Sequence, residues 1–138
     1  MGRHEVILLD THALVWLAND DAALGRSSRS LLNEARNQQM IAVSAVSFWE
    51  VALLAEKRRI NLAAEPDALR RVFLDTGVTE LPLTGDVAIM AAQLPALHGD
   101  PADRLIVATA IAHDAMLMTA DRALLRWRHR LPRQDASK

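Results

Sequence analysis

The sequence predicts an α/β fold in which helices flank a central parallel sheet. Short apolar segments alternate with longer segments of helical periodicity along the whole chain. The first such segment, EVILL at residues 5–9, ends at Asp10 and is typical of a strand buried on both faces. No repeat, low-complexity segment or linker divides the 138 residues. The chain is therefore predicted to form one domain.

Three further segments have the character of strands. Residues 41–44 and 115–118 are short and apolar, as buried strands are. Residues 78–83 mix apolar and polar side chains and contain Pro82, which favours an edge strand. These segments and residues 5–9 supply the strands of the predicted sheet.

Helices are predicted between the strands from their starting residues. Thr11 is predicted to cap the first helix, HALVWLAND, and Ser47 the third, while Pro66 suits the first turn of the fourth. The other helices are predicted over residues 27–37, 84–94, 100–113 and about 120–128. Residues 1–130 then form the single domain, and residues 131–138 are expected to be a polar, frayed tail.

Composition excludes several classes of function. The chain has no cysteine, so disulfides, thiolate metal sites and cysteine nucleophiles are absent, which fits a cytoplasmic protein. No apolar stretch is long enough to cross a bilayer, so no membrane association is expected. The net charge of −1 lacks the basic footprint of a dedicated nucleic-acid binder.

Positive charge is nevertheless clustered locally. Residues 57–59 form one cluster, residues 70–71 another, and a third crowds the C-terminal end. Any of them can contact phosphates, and a solvated helix face is the alternative interpretation for each. The members of the third cluster are Arg122, Arg126, Arg128, Arg130 and Arg133.

Four acidic residues are the candidate functional residues: Asp10, Glu50, Asp103 and Asp121. The last three lie among apolar neighbours, where a lone carboxylate shifts its pKa or binds a cation. Ligands of parallel α/β sheets bind outside the carboxyl ends of the strands, and several carboxylates gathered there suit Mg²⁺ or Mn²⁺. The pattern therefore predicts metal-assisted phosphodiester hydrolysis.

Each acidic residue also has a structural alternative. Asp10 and Asp121 can cap helices, Asp103 in a first turn suits the helix dipole, and Glu50 can occupy a narrow polar stripe. Asp100 is interpreted mainly as the N-cap of the helix that begins in DPAD. The histidines share no metal-ligand spacing: His12, His98 and His113.

Four segments together resemble the PIN-domain ribonucleases, and within them the VapC-like toxins of bacterial toxin–antitoxin pairs. Any one of the segments is a weak signal, but four in the family's order, spanning most of the chain, are a strong one. They are LLDTHALVW at 8–16, SAVSFWEVALL at 44–54, GDPADRLIVATA at 99–110 and LMTADRALL at 117–125. The departures are modest: Arg58 stands where glycine is frequent, and Ala102 replaces a bulkier residue.

The resemblance implies a PIN-like α/β/α sandwich and Mg²⁺- or Mn²⁺-dependent endoribonuclease activity. Carried over by position, the catalytic and metal-binding residues are Asp10, Glu50, Asp103 and Asp121. The small polar residues that support them are Thr11, Ser44 and Thr119. Arg104 is a candidate for contacting the substrate backbone, with a helix-surface role as the alternative.

The resemblance also implies partners. The expected substrate is RNA, cleaved in single-stranded loops because only there are base edges accessible. A cognate antitoxin would neutralise the enzyme, a homodimer is expected, and DNA would be reached only through the antitoxin. Two alternatives stay open: a structure-specific DNA or RNA nuclease outside such a pair, and a non-catalytic PIN-like binding module.

Overall fold

The central sheet has five strands, all parallel, in the order β3-β2-β1-β4-β5. The computed structural model describes residues 5–97 and 99–138, so His98 lies outside the described residues. The fold class predicted from the sequence is confirmed, including the edge position of the strand next to Pro82. The strands are β1 (Ile7–Leu9), β2 (Ile41–Ser44), β3 (Thr79–Leu81), β4 (Met116–Thr119) and β5 (Arg133–Asp135).

Alternating side chains of the central strands enter two separate cores. In β1, Ile7 and Leu9 join the core on one face of the sheet, and Leu8 joins the core on the other. Neighbouring strands do the same, since Met118 lies with the first core and Leu117 with the second. A strand buried on both faces has no polar side to display, which is why these segments are continuously apolar in sequence.

Helices cover both faces, giving the α/β/α sandwich that the sequence predicts. The first core is closed mainly by α1, α2 and α4, and the second mainly by α6 and α7. Within the described residues, no helix is long and apolar enough to cross a bilayer. The helices are α1 (Thr11–Ala18), α2 (Arg26–Asn37), α3 (Ala45–Glu56), α4 (Pro66–Asp75), α5 (Gly85–Gln93), α6 (Pro101–Ala112) and α7 (Arg122–Arg126).

Two helix starts differ from the sequence prediction. Asp10, and not Thr11, is the N-cap of α1, so Thr11 is already helical and buried. Ser44, and not Ser47, caps α3 by accepting a hydrogen bond from the Val46 amide at 3.1 Å. In both cases the strand runs directly into the helix. The N-cap is therefore the polar residue that directly precedes each helix, which is Asp10 before α1 and Ser44 before α3.

The expectation of a frayed tail over residues 131–138 is wrong. Arg133–Asp135 pairs with β4 as the edge strand β5, and Ala136 is fully buried. The amide of Gly25 donates to the carbonyl of Ala136, and the amide of Ser27 donates to that of Lys138, both at 2.8 Å. A Cβ on Gly25 would lie 2.1 Å from the Lys138 carbonyl carbon, so only glycine permits this close approach.

The burial of Ala136 gives a test of the ordered C-terminal segment. Ala136→Glu places a carboxylate in a fully buried position and should lower the free energy of unfolding by about 3 kcal/mol. Lys138→Glu is the control, because that side chain is exposed and should change stability little. Urea denaturation measures both. Equal small effects of the two substitutions would show that this segment does not pack on the domain.

Candidate active site

The four acidic residues singled out in the sequence line one cavity of about 450 Å³. They come from four separate parts of the chain: the ends of β1 and β4, the middle of α3, and the first turn of α6. Because the strands are parallel, β1 and β4 deliver their following residues to the same edge of the sheet. The remaining lining residues are His12, Trp16, Asp100 and Ala120.

Asp10 is the most deeply buried of the four, with 5% of its surface exposed. Its Oδ1 accepts a hydrogen bond from the Ala13 amide at 2.8 Å, and its side chain is also hydrogen-bonded to Thr119. Burial raises the pKa of the Asp10 carboxyl, and these bonds and the charge of His12 oppose that rise without cancelling it. Asp10 is thus fixed in position while its charge remains poorly solvated.

Glu50 is oriented by a residue of α1. The Thr11 hydroxyl donates to Glu50 Oε1 at 2.5 Å, and the Ser47 hydroxyl lies 3.3 Å from Thr11 Oγ1. Thr11 and Ser47 are buried, so this short chain of hydroxyls has little freedom to rearrange. The other oxygen, Oε2, has no hydrogen-bond partner among the residues that the structure describes and is available for a ligand.

Asp103 and Asp100 enter together at the start of α6. Gly99 has a φ of +142°, which residues with side chains rarely adopt, and the chain turns there into the helix. Asp100 then caps α6 by accepting the Asp103 amide at 2.9 Å. Burial raises the pKa of the Asp103 carboxyl to about 7, with smaller contributions from nearby negative charges. Those charges belong to Asp100, Asp121, Glu50 and Asp10.

Asp121 caps α7 and is linked to Asp10 through one hydroxyl. Its Oδ1 accepts the amides of Ala123 and Leu124 at 2.8 and 3.2 Å. Its own amide donates to Thr119 Oγ1 at 3.1 Å, and the Thr119 side chain is in turn bonded to Asp10. Thr119 is fully buried, so it holds the two carboxylates in a fixed relation.

The chemistry of this cavity suits a hard divalent cation. No Lys or Arg within residues 5–97 and 99–138 forms an ion pair with any of the four carboxylates. Oxygen-only donor sets of this kind are those that Mg²⁺ and Mn²⁺ prefer. No three acidic or histidine side chains in the described ranges, however, lie close enough to surround a single ion. Binding a single ion to three of these side chains therefore requires side-chain movement.

Among the supporting residues, the structure separates Thr11 and Thr119 from Ser44. Thr11 and Thr119 each hydrogen-bond a carboxylate of the cavity. Ser44 instead caps α3 and is fully buried, and none of the three supporting residues is among those that line the cavity. The structure shows a local role for Ser44, in which it fixes the start of the helix that carries Glu50, and its supporting role at the site stays a prediction.

The structure also corrects the role predicted for Arg104. Its guanidinium donates to four backbone carbonyls at and beyond the end of α5, which leaves it committed to the structure and not to a substrate backbone. Unpaired carbonyls at a helix C-terminus need donors, and a guanidinium supplies several at once. The carbonyls are those of Ala91 at 3.0 Å, Ala92 at 3.3 Å, Leu94 at 3.0 Å and Leu97.

Three residues of the cavity are not among the predicted site residues. Asp100, which the sequence marks mainly as an N-cap, both caps α6 and raises the pKa of Asp103. His12 and Trp16 lie one turn apart on α1, the helix that Asp10 begins, and both line the cavity. The sequence contains a signal for His12 and Trp16. Both follow an aspartate at the end of a strand, and their spacing of four residues places the two side chains on one face of a helix.

Comparison with known proteins agrees with this fold. A family model for the PIN domain matches residues 7–129. Ribonuclease VapC22 of Mycobacterium tuberculosis (strain ATCC 25618 / H37Rv) is 39% identical over 127 residues, which are 91% of this chain and 95% of that protein. The chain therefore belongs to the PIN-domain family. Within that family it is VapC-like.

Solved structures support the fold at lower sequence identity. VapBC2 from Rickettsia felis, bound to a DNA fragment from its promoter, matches with a TM-score of 0.69 and 19% identity over 94% of this chain and 97% of that chain. DNA-bound VapBC from Salmonella typhimurium matches with a TM-score of 0.68 and 17% identity over the same shares. At these identities the likeness demonstrates the shared fold.

The raised pKa of Asp103 predicts a pH-dependent gain in stability for Asp103→Asn. Between pH 3.8 and about 7 the folded state keeps a proton that the unfolded state has released. The free energy of unfolding of the wild type therefore falls as the pH rises through this window. It stays at the lower value at pH values above the window. Without divalent ions, the variant should be more stable by on the order of 1–2 kcal/mol at pH 8, after allowance for solvent screening, with almost no gain at pH 4.

Denaturant titration at both pH values measures this difference. The control is Asp75→Asn, which changes an exposed carboxylate at the end of α4, outside the cavity. Its effect should be similar at pH 4 and pH 8. A gain from Asp103→Asn that is equally large at pH 4 and pH 8 would contradict the raised pKa.

Proposed function

We propose that this chain is a divalent-metal-dependent endoribonuclease that acts as the toxin of a toxin–antitoxin pair. One observation carries the proposal: carboxylates from four separate segments line one cavity at the carboxyl edge of the sheet. The PIN-domain match and the 39% identity to a ribonuclease support the same chemistry. Hydrolysis of phosphodiester bonds in single-stranded RNA loops is the proposed reaction.

Asp10, Asp103 and Asp121 would hold Mg²⁺ or Mn²⁺, with Glu50 either joining them or orienting the attacking water. The ion would lower the pKa of water and offset negative charge that develops on the phosphate. The protein's own part is to gather the donors and keep them in place. The hydrogen bonds from Ala13 and Thr119 to Asp10 and those to Asp121 do this directly.

Glu50 is suited to position water because only one of its oxygens is committed. Thr11 fixes Oε1, and Oε2 can accept a hydrogen bond from a water molecule beside the substrate phosphate. Attack by that water in line with the leaving oxygen leaves a 5′-phosphate and a 3′-hydroxyl. The RNA 2′-hydroxyl takes no part, so selectivity for RNA over DNA has to arise from substrate binding.

The proposed partners follow from the relatives. The two structures described above are VapBC assemblies with DNA, one of them with a fragment from its promoter. We infer that this chain likewise pairs with a small antitoxin, forms a homodimer, and reaches DNA only through the antitoxin. The acidic cavity is suited to receive a basic side chain of that partner, which would compete with the metal. RNA substrate and antitoxin would both be met in the cytoplasm.

The proposal predicts that Asp10→Asn abolishes cleavage and leaves the fold intact. Removing one charge from the donor set should lower the rate of single-stranded RNA cleavage by about 100-fold or more, because metal affinity and activity depend on every ligand. Cleavage of a fluorescently labelled RNA in Mg²⁺ measures the rate, and circular dichroism monitors the fold. Asp75→Asn, which removes an exposed carboxylate elsewhere, should cleave like the wild type.

Two further arms of the same assay separate the alternatives. Excess chelator should stop cleavage by the wild type, and added Mg²⁺ or Mn²⁺ should restore it. Equal cleavage of single-stranded DNA of the same sequence would favour a general nuclease. Full activity of Asp10→Asn, or activity that persists in chelator, would refute the metal-site assignment.

A further inference from the structure

Three exposed arginines lie at the end of α7 and in the loop after it, and no ion pair with a described residue neutralises them. We call Arg126, Arg128 and Arg130 the C-terminal basic patch; all three are exposed. None forms an ion pair with any residue in the described ranges. Two other arginines are paired: Arg29 with Asp20 and Arg70 with Glu80, both at 2.6 Å. Among the described residues, no ion pair therefore balances the positive charge of the patch, and the same is true of residues 57–59.

The segment that carries the patch is held rigidly. Arg133, at the start of β5, donates to four backbone carbonyls along residues 124–131. A loop fixed in this way presents its arginines from a defined backbone and loses little conformational entropy when it binds a ligand. The carbonyls are those of Leu124 at 2.7 Å, Trp127 at 2.6 Å, His129 at 2.7 Å and Leu131 at 3.0 Å.

An aromatic ring lies between the arginines. His129 is exposed and stacks on buried Trp127, with ring centroids 4.3 Å apart and planes within 9° of each other. The His129 Nδ1 accepts the Leu131 amide at 3.1 Å, which fixes the ring further. Arginine and aromatic side chains alternate along residues 126–130, as in proteins that bind single-stranded nucleic acids.

The patch is connected to the acidic cavity through α7 and through Trp127. Asp121, which lines the cavity, caps α7, and the five residues of that helix advance only about 7.5 Å along the axis to Arg126. Trp127 Nε1 also donates to the Pro95 carbonyl at 2.9 Å, in the loop that leads to Asp100. Two sides of the cavity are therefore joined directly to the segment that carries the patch.

We propose that the C-terminal basic patch binds the backbone of single-stranded RNA beside the cleavage site, with one base stacked on His129. This rests on the proposed nuclease function. The cavity is lined by five carboxylates and repels phosphates, so the affinity for substrate has to come from outside it. The patch supplies the opposite charge within a short distance. The strand then extends from the cavity along α7.

A triple variant, Arg126→Gln/Arg128→Gln/Arg130→Gln, tests this. The binding of a labelled single-stranded RNA is measured by fluorescence anisotropy at several salt concentrations in the Asp10→Asn background. Three lost phosphate contacts should weaken binding about 10- to 100-fold and lower the slope of log affinity against log salt by about 2. In the otherwise wild-type enzyme the same triple change should raise KM and leave kcat nearly unchanged.

The matched control removes the same charge elsewhere. Lys57→Gln/Arg58→Gln/Arg59→Gln changes three exposed residues after α3, and it should leave RNA affinity within about threefold of the parent. Equal weakening by the two triple variants would mean that only net charge matters, and it would overturn the proposal. Melting curves verify that both variants fold.

Substitutions of His129 test the stacked base. His129→Ala should weaken RNA binding about 10-fold, whereas His129→Phe should retain it, because stacking needs only a flat ring. Unchanged affinity in His129→Ala would overturn this part. If the wild type binds RNA through the patch yet never cleaves it, the proposed nuclease function fails while this inference stands. If it cleaves with unaltered KM in the patch variant, this inference alone fails.

Discussion

The burial of several carboxylates side by side at one edge of the sheet is the constraint on which the candidate site depends. The effect is visible at Asp103, whose pKa is raised to about 7 by burial and by its acidic neighbours. Hydrogen bonds and His12 oppose the same effect at Asp10 and do not overcome it. A fold selected for stability alone would not bury these groups together. The free-energy cost of burying these carboxylates together is explained if a cation is bound there.

The scaffold holds three of the acidic residues as helix caps, an interaction that also builds the fold. Asp10, Asp100 and Asp121 cap α1, α6 and α7, so the amides that they satisfy belong to the helices they begin. A favourable helix N-terminus contributes about 0.3–1 kcal/mol to a nearby carboxylate. That is too little to offset the burial that raises the pKa of Asp103, in the first turn of α6, to about 7. The caps position the carboxylates but leave their charge to be balanced by a ligand.

The sequence predicted the fold because its central strands are apolar on both faces and its helices have clear starting residues. It also predicted the four acidic residues that line the cavity, since Asp10 ends an apolar segment and the other three lie among apolar neighbours. Pairing across the chain was not predictable: the bond between Thr11 and Glu50 joins residues 39 positions apart. Arg104 illustrates the same limit of sequence-based prediction. Its charge is evident from the sequence, but the carbonyls to which its guanidinium donates are known only from the fold.

The ordered C-terminal segment shows that tertiary contacts can determine whether a segment forms a strand. Arg133–Asp135 has no apolar alternation, and only its pairing with β4 and the burial of Ala136 make it part of the sheet. That pairing also fixes Arg133, which in turn holds the loop of the C-terminal basic patch. A segment with the composition of a polar tail therefore supports both the sheet edge and the loop of the C-terminal basic patch.

A crystal soaked in Mn²⁺ tests the central claim most directly, since anomalous scattering locates the ion independently of any assay. The account predicts a peak within the cavity, bonded to oxygens of Asp10, Asp103 and Asp121 or Glu50 after those side chains move together. A peak confined to other surfaces, with the four carboxylates unmoved at saturating Mn²⁺, would contradict it.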